Sequence, residues 1–197
     1  MPTRGLESGT LSEWLAAEGS LAGILSLFTL RGVLAAPGTY AALIDGQGEI
    51  SPLACAGWGV DLNRLLLIQP ASHQETWWAV EQCLRSKAIQ AVWGQLQDVP
   101  ERVFRRWLLA AEAGGGVGIF LRPERVRRTP TWSHIRWAVH LVPGAGIAGH
   151  RLEIELLACR HGTSGQRVLV DLDHATSSVR VVSELERAAS PVAATGS

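Results

Sequence analysis

The chain has 197 residues, of which 47% are hydrophobic and 18% are charged, and its formal net charge is +0. This composition excludes a disordered chain, because it supplies enough apolar side chains for a single sizeable core. The neutral charge excludes a strong overall attraction to nucleic acids or acidic membranes, so binding of that kind needs a local charged patch.

Strand and helix patterns alternate over the first two thirds of the chain. The strand-length run at 40–44 is continuously apolar, and the run at 64–68 is apolar after Arg64, which is typical of parallel strands covered on both faces. Regular alternation predicts right-handed crossovers and a mainly parallel sheet with helices on both faces. The predicted strands are 10–14, 40–44, 64–68, 89–93 and 117–121, and the predicted helices are 20–34, 73–86 and 100–113.

The last third of the chain changes character after an arginine-rich link at 122–132. Three later segments, at 137–142, 152–159 and 166–173, alternate apolar and polar residues. They predict antiparallel strands added to one edge of the sheet. The turn residues at 161–165 predict a hairpin between the last two segments.

A single domain with short ends is therefore expected. Its core is predicted to span 9–175, after an N-terminal lead at 1–8 and before a short C-terminal segment at 176–197. The last residues, 187–197, are small and polar, which is typical of a disordered tail. No apolar leader begins the chain, and no apolar run reaches the roughly 20 residues of a membrane span, so we expect a cytoplasmic protein without membrane contacts.

Metal and disulfide chemistry is not indicated by the sequence. Cys55, Cys83 and Cys159 are far apart and form no CxxC pair, which predicts free and mostly buried thiols. The six histidines lack ligand spacing such as HxxH or HExxH. We therefore expect no metal and no bound cofactor.

Three segments carry a resemblance to a known family. They are SEWLAAEGSLAGILSL at 12–27, YAALIDGQGEISPLACAGWGVDLNRLLLIQP at 40–70 and LLAAEAGGGVGIFLRPERV at 108–126. In order and spacing they resemble the RecA ATPase core, and they are closer to ImuA, the RecA-like accessory protein of bacterial translesion mutagenesis cassettes. The resemblance covers about residues 8–175. It implies an α/β fold with a RecA-like three-layer core.

The same resemblance implies a nucleotide loop that has lost its reactive groups. A working phosphate loop reads GxxxxGK[ST], because its lysine neutralises phosphate charge and its hydroxyl holds Mg²⁺. In the alignment, the lysine falls on Ala22 and the hydroxyl residue on Gly23, while the two glycines fall on Ala16 and Leu21. The degenerate loop comprises Ala16, Glu18, Gly19, Ser20, Leu21, Ala22 and Gly23.

Both acidic positions of the ATPase are also replaced. The resemblance places the catalytic glutamate on Gln47, which can orient a water molecule but cannot accept its proton. The carboxylate that supports Mg²⁺ falls near Gln95. Since four chemical functions are missing together, the sequence predicts a pseudo-ATPase that is not an enzyme.

A basic cluster follows the strand at 117–121, where the resemblance implies the second DNA loop of RecA. Arginine beside an aromatic side chain can follow a phosphate backbone and stack a base, but the same residues also suit a solvated loop or a protein contact. The shortened first loop at 97–100 predicts weak DNA binding at most. The candidate DNA or partner surface comprises Arg122, Arg125, Arg127, Arg128, Trp132 and Arg136, with Trp78 as a separate candidate anchor.

Three functional hypotheses follow from these features. The first is a non-catalytic accessory protein of SOS-induced translesion synthesis, which the ImuA resemblance implies would contact RecA and an ImuB-like, Y-family polymerase homologue. The second is a SulA-like division inhibitor that binds FtsZ, because that family also resembles RecA without a phosphate loop. The third is a surviving ATPase, which the missing lysine and carboxylates disfavour.

Overall fold

The computed structural model describes residues 6–17, 20–142 and 149–185. These ranges contain one nine-stranded sheet in the order β3-β2-β4-β5-β1-β6-β7-β8-β9. Its strands are β1 (Leu11–Ala16), β2 (Ala41–Ile44), β3 (Leu65–Ile68), β4 (Ala91–Gln95), β5 (Val117–Pro123), β6 (Ile135–Leu141), β7 (Gly149–Cys159), β8 (Arg167–Asp173) and β9 (Ser178–Leu185). The α-helices are α1 (Ala22–Leu34), α2 (Pro52–Gly57), α3 (His73–Arg85) and α4 (Glu101–Gly114), and short 3₁₀ turns cover Leu62–Arg64 and Glu124–Arg128.

Six strands, from β3 to β6 in sheet order, run parallel, and β7, β8 and β9 continue the sheet antiparallel. One apolar cluster packs α1 against the sheet, and a second packs α3 and α4 against the opposite face. The α/β fold with helices on both faces and antiparallel C-terminal strands is therefore confirmed. The turn at 161–165 also joins β7 to antiparallel β8, as predicted.

Local chemistry explains where the helices on the second face begin and end. Ser72 caps α3 by accepting a hydrogen bond from the Glu75 backbone N–H at 3.2 Å. Pro100 immediately precedes α4, where its missing N–H removes no helical bond. Gly115 ends α4 with φ of 81°, a left-handed conformation that glycine adopts without strain. Within the described ranges, no helix combines the length and apolar character needed to cross a membrane.

Three features of the sheet differ from the sequence-based expectation. Strand β6 pairs antiparallel with β7, as expected, but its second pairing, parallel with β1, was not predicted, because alternation reports which face is buried and not the strand direction. Strand β3 was expected to be covered on both faces, yet it lies at the sheet edge with Leu66 51% exposed. Strand β9 was not predicted, and it extends the sheet past residue 175. Residues 186–197, which include the predicted tail, lie outside the described part of the chain.

Candidate functional site

A cleft of about 590 Å³ opens at the carboxyl ends of the parallel strands, which is where open α/β sheets bind ligands. It brings together several residues of the predicted nucleotide site, because β2, β4, β5 and β1 are consecutive in the sheet and end side by side. Ala22 is the fully buried first residue of α1 and Leu21 precedes it, while Glu18 and Gly19 lie outside the described residues. The predicted residues that line the cleft are Ala16, Ser20, Gly23, Gln47 and Gln95.

The loop that follows β2 is held by a carboxylate that the sequence analysis did not single out. Asp45 is buried and accepts hydrogen bonds from the backbone N–H groups of Glu49 at 3.0 Å and Ile50 at 3.2 Å. Burial alone would raise the pKa of Asp45, but these hydrogen bonds hold it below its usual range. The ionised Asp45 thereby orders the loop that carries Gln47 and Glu49 into the cleft.

One charged side chain in the cleft, Glu49, was also missed, and a second, Arg125, was predicted only for the DNA or partner surface. Glu49 is the single carboxylate among the described lining residues, two positions after Gln47. Arg125 lines the cleft as well, but its guanidinium donates to both carboxylate oxygens of Asp98 at 3.0 and 3.1 Å. The cleft therefore presents mainly amide, hydroxyl and backbone groups, and its two arginines, Arg122 and Arg125, are already paired within the chain.

A buried charge cluster lies beside the cleft on the face of the sheet that α4 and the 3₁₀ turn Glu124–Arg128 cover. Glu13 of β1 is fully buried and accepts hydrogen bonds from Arg122 Nη1 of β5 and Arg136 Nε of β6, both at 2.8 Å. The Thr131 hydroxyl also donates to Glu13. Three adjacent strands thus meet in an Arg–Glu–Arg triad that carries one excess positive charge.

The triad corrects part of the predicted DNA or partner surface. Arg122 and Arg136 are only 7% and 3% exposed, because both turn inward to Glu13, so neither guanidinium presents its charge on an exposed basic surface. Arg127 is half-buried and forms ion pairs with Glu124 and Glu155. The remaining predicted surface residues reach solvent to different degrees: Arg125, Arg128 and Trp78 are exposed, and Trp132 is half-buried.

A second cavity, of about 530 Å³, lies between α3, the start of α4 and the loop that follows the 3₁₀ turn. Its walls include three aromatic side chains, Trp77, Phe104 and Trp132. Trp132 is fixed from two sides, since its indole Nε1 donates to Glu101 at 3.2 Å and the Arg105 guanidinium lies 5.4 Å from its ring centroid. We call this space the aromatic cavity.

Arg122 forms part of the wall of both the cleft and the aromatic cavity. Its Nη1 bonds Glu13, its Nη2 donates to the Gln97 carbonyl at 3.1 Å, and its guanidinium lies 5.7 Å from the Phe104 ring centroid. Its Nε–H is buried and has no hydrogen-bond partner among the described residues. Such a donor is costly to leave unpaired, so a residue that lines the aromatic cavity retains one unsatisfied buried donor.

The strand order and the cleft at the carboxyl ends define a RecA-like α/β protein. The crystal structure of the RadB recombinase matches with a TM-score of 0.70 at 16% identity, over 91% of this chain and 93% of that chain, which shows the fold. Protein RecA of Crocosphaera subtropica is 34% identical over 88 residues, which are 45% of this chain and 25% of that protein. The matched part thus spans about a quarter of that RecA, and no family model matches the chain.

Proposed function

We propose that this chain is a non-catalytic, RecA-like accessory protein of DNA repair that acts through contacts with other proteins. One observation carries the proposal: the cleft at the carboxyl ends of the parallel strands is lined by Gly23, Gln47 and Gln95, the positions where the RecA resemblance implies reactive groups. If the fold is retained without the catalytic groups, its function is to present surfaces that bind other molecules. The structural neighbour RadB is named as a recombinase, and part of the chain matches a RecA, which together support a role in DNA repair.

The finer part of the proposal follows the ImuA resemblance of the three segments at 12–27, 40–70 and 108–126. It assigns the chain to SOS-induced translesion synthesis in the cytoplasm. Its partners would be RecA and a Y-family polymerase-like protein, with DNA contributing weakly. The internal pairing of most arginines of the predicted basic surface supports contacts with proteins over contacts with a phosphate backbone, because most of their charge is already neutralised.

Purified chain is expected to show neither micromolar binding nor hydrolysis of Mg-ATP. The cleft has no lysine to bind the phosphates. The only lysine in the sequence, Lys87, follows α3 on an exposed connection and does not line the cleft. Isothermal titration calorimetry and a phosphate-release assay measure the two quantities, with a working RecA as the positive control. Turnover that disappears in Glu49→Gln would contradict the proposal, since Glu49 is the carboxylate available in the cleft.

A tagged chain isolated from cells after DNA damage is expected to retain RecA and a Y-family polymerase-like protein. The enrichment should be measured by quantitative mass spectrometry against undamaged cells and an untagged control. Enrichment of FtsZ instead would favour a SulA-like division inhibitor. Recovery of neither RecA nor the polymerase-like protein would contradict the proposed accessory role.

A further inference from the structure

We propose that the aromatic cavity is a docking site for a neutral peptide segment of a partner protein, which inserts one large aromatic side chain. The inference rests on the proposed function, because it assumes a protein partner, and it locates the contact. The cavity volume of about 530 Å³ lies within the range of roughly 300–1,000 Å³ that is usual for ligand sites. Its three aromatic walls supply the residue types that dominate binding energy at protein interfaces.

The polar groups of the cavity specify the second feature of the occupant. Arg122 is more than nine-tenths buried, and its Nε–H has no partner among the described residues. A backbone carbonyl next to the inserted aromatic side chain would supply the missing acceptor. Pairing this donor recovers the cost of leaving it buried and unbonded, and it fixes the direction of the peptide chain.

The charge balance around the cavity favours a peptide over a nucleic acid strand. Asp98 and Glu101 line the cavity, and carboxylates repel phosphates. Two nearby cations are ion-paired, Arg122 with Glu13 and Arg125 with Asp98, and the guanidinium of a third, Arg105, lies over the Trp132 ring. The lining and its ion-paired partners therefore sum to little net charge, which suits an uncharged segment.

The binding test uses capped five-residue peptides, acetyl-Gly-Gly-Xaa-Gly-Gly-amide, in which Xaa is Trp, Phe or Ala. Binding is followed through the indole N–H resonances of the full chain in two-dimensional NMR titrations. The Trp and Phe peptides are expected to shift the Trp77 and Trp132 resonances, and the Ala peptide to bind about tenfold or more weakly. Absence of any shift with the aromatic peptides would overturn the proposal.

Two tryptophan variants locate the binding. Trp132→Ala is expected to weaken the Trp peptide by about tenfold, whereas Trp78→Ala, which removes an exposed side chain outside the cavity, is expected to leave the affinity unchanged. Equal losses in the two variants would overturn the assignment. Trp132→Phe, which retains an aromatic wall and should recover most of the affinity, guards against a loss caused by local misfolding.

A titration with a short oligothymidine strand tests whether the cavity binds single-stranded nucleic acid instead of a peptide. It is expected to leave the Trp77 and Trp132 resonances unshifted at moderate salt, and tighter binding of oligothymidine than of the Trp peptide at this cavity would overturn the proposal. The result is independent of the pull-down from damaged cells. If the peptide binds but neither RecA nor a polymerase-like protein is recovered, the docking site is supported and the proposed function is contradicted. If those proteins are recovered but the peptide does not bind, the proposed function is supported and the docking site is contradicted.

Discussion

Replacing Glu13 with glutamine is expected to lower the free energy of unfolding by about 3–5 kcal/mol, because it leaves two buried arginines without their shared counter-charge. Glu13 is fully buried, and Arg122 and Arg136 are nearly so. A neutral amide can accept hydrogen bonds but cannot balance the guanidinium charges. Urea denaturation at pH 7, followed by tryptophan fluorescence, measures the change.

Glu13→Gln should also remove one contribution to the pH dependence of the free energy of unfolding. Burial alone would raise the pKa of Glu13, but hydrogen bonding and charge from Arg136, with Thr131 and Arg122, hold it below its usual value of 4.5. Because the folded pKa is the lower one, the stabilisation is fully present above pH 4.5 and is lost as the pH falls through the folded value. The difference between the wild type and Glu13→Gln should therefore narrow only below about pH 4.5.

Glu112 offers the matched control for this experiment. It is an exposed glutamate on α4, and Glu112→Gln should change the free energy of unfolding by no more than about 0.5 kcal/mol. A loss below about 1 kcal/mol in Glu13→Gln would contradict a triad that depends on the ionised carboxylate.

Trp107→Ala is expected to cost about 3–5 kcal/mol of folding free energy, the usual range for removing a fully buried tryptophan. The Trp107 ring packs against Phe104 and Phe120 with centroids 5.5 and 5.2 Å away. Its Nε1 donates to the Trp77 carbonyl at 3.0 Å, which ties α4 to α3. Denaturation with urea measures the loss.

Trp78→Ala serves as the comparison, since Trp78 is 63% exposed and lies one residue from Trp77. It should change the free energy of unfolding by about 0.5 kcal/mol or less. Similar losses in Trp78→Ala and Trp107→Ala would show that the aromatic core does not hold the two helices together. Because Trp107 contacts both Trp77 and Phe104, its loss should also disorder two walls of the aromatic cavity.

Apolar periodicity was sufficient to predict most helices and strands, because α1, α3 and α4 each bury one side against the sheet. It could not predict which strands are neighbours at the edges. Strand β3 has the apolar composition of a central strand, and nothing in four consecutive apolar residues shows that one side lacks a neighbouring strand. The parallel pairing of β6 with β1 was not predictable for a related reason, since the alternation of apolar and polar residues is the same in either strand direction.

The cleft was predictable to the extent that parallel strands bring their carboxyl ends together. Gln47 and Gln95 meet there because β2 and β4 are adjacent. The buried triad could not be found in this way, since Glu13 is 109 residues from Arg122 and 123 residues from Arg136. Only the three-dimensional order β5-β1-β6 shows that these arginines are internal and not part of a basic surface.

The internal ion pairs of the arginines in the predicted basic surface affect how complexes of this chain depend on ionic strength. Four of the five arginines once considered a basic surface, Arg122, Arg125, Arg127 and Arg136, form ion pairs with carboxylates of the same chain. A cation that is already paired releases few counterions from an arriving polyanion. Complexes made through this part of the molecule should therefore persist as salt is raised, whereas a phosphate-binding surface of the same composition would release its ligand.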